Sequence, residues 1–209
     1  EIAQSEGYDY ISVAHHKDDQ AESILAHIIR GSGLNGLTGM SVVQSEYAIP
    51  VVRPLLDVTK ENLLAYIGTK HISYCVDSTN EDVRYQRNRI RHRIIPELEA
   101  VNPAVVDAIV RLGSSVNEDV MVISDLTSRT FDKLVSIGDD EVRISRRALR
   151  QEPLAIQRRL WQRLVSTIDS DLTLTSAHQE QLLDIVNTGE KKTFTIKSIK
   201  VIAQCDTIK

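Results

Sequence analysis

This sequence of 209 residues is poor in aromatic side chains, with one Trp, two Phe and six Tyr. Its core therefore has to come from aliphatic residues on helices and strands rather than from stacked rings. It holds only two cysteines, Cys75 and Cys205, far apart and without paired spacing. That excludes a four-cysteine zinc site and a disulfide framework, and it points to a reducing compartment, the cytoplasm. No apolar run approaches the roughly 20 residues a bilayer span needs, so no membrane association is expected. The opening residues Glu1-Ile2-Ala3-Gln4 have neither the basic nor the apolar region of a secretory signal. Repeats and low-complexity tracts are also missing. What remains, 42% hydrophobic and 26% charged, is the composition of a globular protein. The length suits one large domain or two small ones.

The net charge of −4 does not by itself suit a nucleic-acid binder, but the charges are segregated. Residues 84–93 (RYQRNRIRHR) hold five arginines and no acid, and residues 143–163 hold seven arginines and one acid, Glu152. Between them, residues 94–141 hold ten acids and three bases. Such blocks set a basic surface against an acidic one. Arginines that merely decorate solvated helix faces would give a similar pattern.

Along the chain, Tyr8 to Ala14 reads as a strand that ends in the polar burst His15-His16-Lys17-Asp18-Asp19-Gln20. Ala21, Ile24, Leu25 and Ile28 then recur at i, i+3, i+4 and i+7, the buried stripe of a helix. Gly31 and Gly33 stop that helix and open a glycine-studded loop to Met40. Tyr47 to Leu56 reads as extended, with Pro50 and Pro54 marking an edge or an exit. Thr59 caps a helix to about Lys70, and Ile72 to Val76 fits a short strand. Pro96 and Pro103 flank a helical turn, residues 104–137 read as one long helix or two shorter ones, and Gly138-Asp139-Asp140 reads as a linker. A second unit follows: a strand at Val142–Ile144, helices at Leu154–Ile168 and Ser176–Asn187, and a hairpin through Thr193–Ile196 and Lys200–Ala203. Strand and helix alternate in the first part as in α/β folds with parallel sheets, but its strands are too few to complete a sheet.

Four constellations bear on chemistry. His15, Asp19 and Glu22 are spaced i, i+4, i+7 and share one stripe of a helix. They stand where a strand feeds a helix, at the carboxyl edge where open α/β sheets place ligands. Two carboxylates there could hold an ammonium group or Mg²⁺, and a histidine beside them could act as acid, base or orienter. Equally, acids in a first helical turn complement the positive end of the helix dipole. Gly31, Gly33 and Gly36 spell G-x-G-x-x-G, but they close a helix instead of opening one, so the dinucleotide reading fails. Asp77-Ser78-Thr79-Asn80 are turn and cap formers, followed by Arg87-Asn88-Arg89-Ile90-Arg91, where a helix would align Arg87 with Arg91. Their planar forks suit phosphate, and Arg84, Arg89 and Arg93 lie nearby. In the second unit Arg146, Arg147, Arg150, Arg158, Arg159 and Arg163 flank Leu160, Trp161 and Leu164, a basic face beside a core stripe.

Together these residues resemble the tRNA(Ile)-lysidine synthetase family. Ala14-His15-His16-Lys17-Asp18-Asp19-Gln20-Ala21-Glu22-Ser23 is similar to its A-H-H-x-D-D-Q-x-E-[ST] signature. Arg30 to Met40, Arg53-Pro54-Leu55-Leu56, and Asp77 to Asn80 with Arg87 to Arg91 are similar to its next three blocks, in order and within about ninety residues. From about residue 140 onward the likeness is looser. The resemblance implies an ATP-dependent ligase that adenylates the C2 oxygen of the wobble cytidine and then lets lysine's amine displace AMP. The implied catalytic residues are His15, Asp19 and Glu22, with Asp19 and Glu22 holding lysine's ammonium or Mg²⁺. Asn80, Arg87, Asn88 and Arg91 would line the substrate and tRNA side. The implied partners are ATP, Mg²⁺, L-lysine and tRNA(Ile) with a CAU anticodon, and the family's habit allows a homodimer.

The family's S-G-G-x-D-S phosphate loop does not occur in this sequence. The expected architecture is therefore α/β: a partial doubly wound parallel sheet, the C-terminal half of a PP-loop ATPase domain, over residues 1–103. A helical linker over 104–138 and a small, mostly helical α+β tRNA-binding domain over 139–209 would follow. A chain lacking the phosphate loop is expected to be inactive alone. Two other classes fit parts of the pattern: a noncatalytic RNA-binding module using the arginine blocks, and a metal-dependent phosphohydrolase using His15, His16, Asp18 and Asp19.

Overall fold

The computed structural model describes residues 2–75, 77–138, 141–188 and 191–209, and only the backbone of Ser78 and Asn80. The chain divides into two compact units, Glu1–Val120 and Met121–Lys209.

The first unit opens with a short helix α1 (Ile2–Ser5), strand β1 (Ile11–Ser12), helix α2 (Lys17–Ile29) and a helical turn α3 (Leu34–Leu37). Strands β2 (Val43–Gln44) and β3 (Val51–Val52) follow, then helix α4 (Lys60–Thr69). β1 runs parallel to β3 and β2 antiparallel to it, in the order β1-β3-β2. The parallel pair confirms an α/β arrangement. The strand expected over Tyr8 to Ala14 pairs for only two residues because its partner is framed by prolines. Ile11 donates to Pro50 and Val13 to Val52, after which Pro54 has no N–H to offer and the Arg53 amide turns to Val42 on the other side. β2 was not foreseen, and the glycine loop contains α3. No strand forms over residues 72–75, a correction to the expected strand, and Val76 lies outside the described residues.

α2 stops as its glycines require. Gly31 has φ +72°, its N–H bonds to Ile28, and the Ser32 N–H bonds to His27, a Schellman closure. Its buried face differs from the expected one. Ala21 and Ile24 are fully buried, but Ile28 is 48% exposed, and Asp19, Gln20 and Glu22 are buried in its stead. An aliphatic count alone misplaced this face because charged side chains can be buried when paired.

Beyond α4, a 3₁₀ turn (Ser78–Glu81) leads to α5 (Gln86–Arg89), a π-helical turn (Ile90–Ile94) and α6 (Ile95–Val101). α7 (Val105–Leu134) is one helix of 30 residues. In the second unit, strands β4 (Val135–Ile137) and β5 (Val142–Ser145) precede helices α8 (Arg146–Gln151), α9 (Leu154–Ile168) and α10 (Ser176–Thr188). Strands β6 (Lys192–Ile196), β7 (Ile199–Gln204) and β8 (Thr207–Ile208) complete an antiparallel sheet of order β4-β5-β8-β7-β6. β4 and β5 pair antiparallel, and the Gly138 N–H bonds to Glu141; of the expected linker, Asp139 and Asp140 lie outside the described residues. The core gathers Leu160, Trp161 and Leu164 of α9 with Leu182 and Val186 of α10 and Ile196, Val201 and Ile208 of the sheet. Alternate residues of β7 face it, the period of a half-buried strand.

Candidate active site

β1 delivers the chain into α2, and His15 sits in that junction. The first turn of α2 is tied on two sides. Lys17 N–H donates to Val58, and Asp18 Oδ2 accepts from the Lys60 amide at 2.8 Å, so Asp18 caps the start of α4. His16 Nδ1 stands 3.3 Å from Asp18. The hydrogen bond from His16, joined by that of the Lys60 amide, holds the Asp18 carboxyl at about 2 against the opposing effect of burial. Asp19 Oδ2 reaches back to accept from the His16 amide at 3.0 Å, the reciprocal half of a capping arrangement.

The remaining oxygens of Asp19 and Glu22 meet Arg87 and Arg91. These arginines are one turn apart on the helix that starts at Gln86, so both forks point at the same stripe of α2. Arg87 donates from Nη2 to Asp19 Oδ1 (2.8 Å) and from Nε to Glu22 Oε2 (2.9 Å). Arg91 donates from Nη2 to Asp19 Oδ1 (2.8 Å) and Glu22 Oε2 (3.0 Å), and from Nε to Glu22 Oε1 (2.5 Å). Glu22 is 1% exposed, whereas the Arg87 side chain is 51% exposed. Burial works against the Arg91 charge, but bonding to Glu22 and the nearby Asp19 charge outweigh it and raise its pKa. Two acids and two arginines thus form a charge-balanced cluster, buried on the α2 side and open at Arg87.

His15 stands at the edge of this cluster. Arg53, 9% exposed, donates from Nε to His15 Nδ1 at 3.3 Å. Burial lowers the His15 pKa; Asp19 opposes this, while Arg87, Arg53 and His16 reinforce it. These effects together favour the neutral imidazole.

The structure brings together His15, Asp19, Glu22, Arg87 and Arg91. Asn88 faces elsewhere: its amide donates to the carbonyls of Thr79 (2.9 Å) and Asp82 (3.0 Å), which folds residues 79–82 onto α5. Asp77 caps the same turn through Thr79. The Asn80 side chain lies outside the described residues.

Three contributors were not assigned by sequence reasoning. Gln20 clasps Met40, donating to its carbonyl and accepting from its amide at 2.9 and 2.7 Å. Gly39, at φ +73°, is needed there, since a Cβ would lie 2.7 Å from the Gln20 amide. Arg53 was noted only within its motif; an arginine just before proline at a strand exit is the signal that could have found it. Arg146, counted in the expected basic face, is 4% exposed. Its guanidinium donates to the carbonyls of Ile185, Val186 and Cys205 and joins α10 to the sheet. Arg163 likewise bonds Ser128 and covers the Phe131 ring.

For a metal, the fit is poor in this arrangement. Among the described residues no three His, Cys, Asp or Glu side chains converge as ligands, and the Asp19 and Glu22 oxygens already accept guanidinium donors. For ATP, this chain has no S-G-G-x-D-S loop to cradle phosphates. Among the described residues no helix is long and apolar enough to cross a membrane.

Residues 1–98, which hold this strand exit and the helices around it, match the PP-loop domain family. The likeness extends further along the chain. It is 31% identical over 185 residues to the tRNA(Ile)-lysidine synthase of Geobacter sulfurreducens, covering 88% of this chain and 39% of that one. It is 30% identical over 192 residues to the Bacillus subtilis protein of the same name, covering 90% and 41%. Against that of Porphyromonas gingivalis it is 44% identical over 135 residues, covering 65% and 29%. Over most of its length the chain is similar to tRNA(Ile)-lysidine synthases. It spans about two fifths or less of the length of these relatives.

Proposed function

We propose that the protein carrying this chain is an ATP-dependent ligase that joins lysine to C2 of the wobble cytidine of tRNA(Ile) with a CAU anticodon. The observation that carries this reading is the cluster of Asp19 and Glu22 with Arg87 and Arg91 beside His15, at the carboxyl end of a parallel strand. ATP would activate the C2 oxygen as an adenylate, and lysine's amine would then displace AMP.

The chemistry asks for two opposite tasks at one place: holding an ammonium and holding phosphate. A balanced set of two acids and two arginines can do both by dividing. As substrates enter, the half-exposed Arg87 swings to a phosphate oxygen, where its fork is well suited, and the Asp19 oxygen it leaves accepts from the lysine ammonium. Asn88 keeps the preceding turn in place, and Asn80 lies on that turn. Mg²⁺, if the reaction uses it, would be held mainly by groups other than these two acids. Exposed arginines, among them Arg84, Arg89 and Arg93, would meet the tRNA backbone. Residues 1–103 would then serve as part of the catalytic domain, 104–138 as a helical linker and 139–209 as a tRNA-binding domain. Because the phosphate loop is missing from this sequence, the 209 residues alone are expected to form no lysidine.

Incorporation of labelled lysine into tRNA(Ile) by the gene's complete product tests the proposal. Wild type is expected to incorporate lysine, and Asp19→Asn to lose about 10²-fold or more, a typical effect of removing a charged positioning group. Tight tRNA binding without incorporation by wild type would reduce the protein to a noncatalytic RNA binder.

A further inference from the structure

The Arg53 guanidinium is committed in three directions. Nη1 donates to the Ser41 carbonyl and Nη2 to Gln44 Oε1, both at 2.9 Å, while Nε donates to His15 Nδ1 at 3.3 Å. Its own backbone is pinned as well, the amide donating to Val42 at 2.8 Å. Val52, its neighbour, pairs with Ser12 across the parallel ladder, so the sheet itself carries Arg53 alongside the exit of β1. Arginine has no acceptor and does not deprotonate. A nitrogen that receives its N–H must offer a lone pair. Nδ1 of His15 therefore carries no proton, and the proton of the neutral ring sits on Nε2.

We propose that Arg53 is a positioning residue that fixes His15 in the Nε2–H tautomer, so that His15 acts on the substrate as a neutral hydrogen-bond donor from Nε2, toward an oxygen that gains negative charge. The catalytic half of this inference rests on the ligase reading above; the tautomer half does not. The groups facing the ring agree with it: Arg53 from the β3 exit, Arg87 from α5 and His16 from the same junction all disfavour an imidazolium, and Asp19 of α2 alone favours one. A base working through Nδ1 is excluded by the geometry, since that lone pair is taken. A neutral donor gives partial charge stabilisation without transferring its proton, so no proton has to be returned between turnovers.

Two independent readouts test this. A long-range ¹⁵N–¹H spectrum of the histidine-labelled complete protein distinguishes a pyridine-like from a pyrrole-like ring nitrogen and needs no activity. Nδ1 of His15 is expected to be pyridine-like in wild type and in Arg53→Lys to lose that single state, becoming a mixture of tautomers. A protonated Nδ1 in wild type overturns the proposal, whatever the protein's activity. The second readout is lysine incorporation. Arg53→Lys keeps the charge and loses the directed fork, and kcat is expected to fall about tenfold to a hundredfold with KM nearly unchanged. Arg53→Met removes one cation that lowers the His15 pKa. Its pKa rises, and the loss of activity on acidification begins at a higher pH than in wild type. His15→Gln places an amide N–H near the Nε2 position and retains more activity than His15→Asn, whose amide mimics Nδ1. Equal activity of those two variants, or an unmoved acid limb in a folded Arg53→Met protein, rejects the donor role. Absence of incorporation by wild type rejects the ligase reading and leaves the spectrum to decide the tautomer.

Discussion

At the scale of single residues, the site is held by charges that would be costly to bury unpaired. Glu22, 1% exposed, accepts three guanidinium bonds. Glu22→Gln removes its charge while Arg91 stays largely enclosed, and breaking a buried pair on one side typically costs about 3–5 kcal/mol. Because Arg87 is half exposed and can regain water, we expect about 3 kcal/mol, measured as a lower midpoint of urea unfolding. A change below about 1 kcal/mol would mean that the pairs contribute little. Asp18 gives a pH dependence with a definite sign. Its carboxyl is held at about 2 by His16 and the Lys60 amide, below the ordinary carboxylate value. A group depressed in the folded state adds stability that is present above its unfolded pKa, near 4, and is lost as the pH falls from there toward 2. In Asp18→Asn that part of the acid transition is expected to flatten, as followed by circular dichroism between pH 5 and about 2.

At the scale of elements, two glycines with nearly equal backbone angles separate conformational strain from crowding. Gly31 has φ +72° and open space around a would-be Cβ; Gly39 has φ +73° and the Gln20 amide 2.7 Å away. Gly31→Ala should cost about 1 kcal/mol, the strain of a left-handed alanine alone. Gly39→Ala should cost more, about 2–3 kcal/mol, because it also displaces the Gln20–Met40 clasp. Equal losses in thermal unfolding of the two variants would contradict this account of the loop. Much of the element order was legible in the sequence because it rests on local signals: the glycine stop of α2, the Thr59 cap, the periodicity of α7 and α9, the alternation in β6 and β7. What escaped was set by tertiary partners. β2 is two residues long and exists because β3 offers it an edge. Arg146, the first residue of α8, bonds residues about 40 and 60 positions away, the second just before β8. The candidate site divides the same way. Helical spacing pointed to His15, Asp19, Glu22, Arg87 and Arg91 as two separate stripes, while their meeting across 65 to 72 positions of sequence could not be read from either.

At the scale of the whole molecule, the chain has two units with different bases of stability. The first has a three-stranded sheet of two-residue strands and a charged cluster; the second has a five-stranded sheet over an aliphatic core. His15, the α2 acids and the buried Arg53 converge at the exit of β1. This polypeptide spans 29–41% of the length of the relatives described above, and its sequence holds the residues of the acid–arginine cluster but no S-G-G-x-D-S motif.

In the proposed reaction Asp19 and Arg87 part as substrates enter, Asp19 to hold the lysine ammonium and Arg87 a phosphate oxygen. A double-mutant cycle read as kcat/KM for lysine incorporation by the complete protein tests it most directly. Asp19→Asn and Arg87→Gln each remove one of these contacts, so each alone should lower kcat/KM by about 10²-fold or more, and the double variant should come near the product of the two losses. A double variant little worse than the poorer single one would show that the acid and the arginine act only as a pair and would contradict this division of tasks.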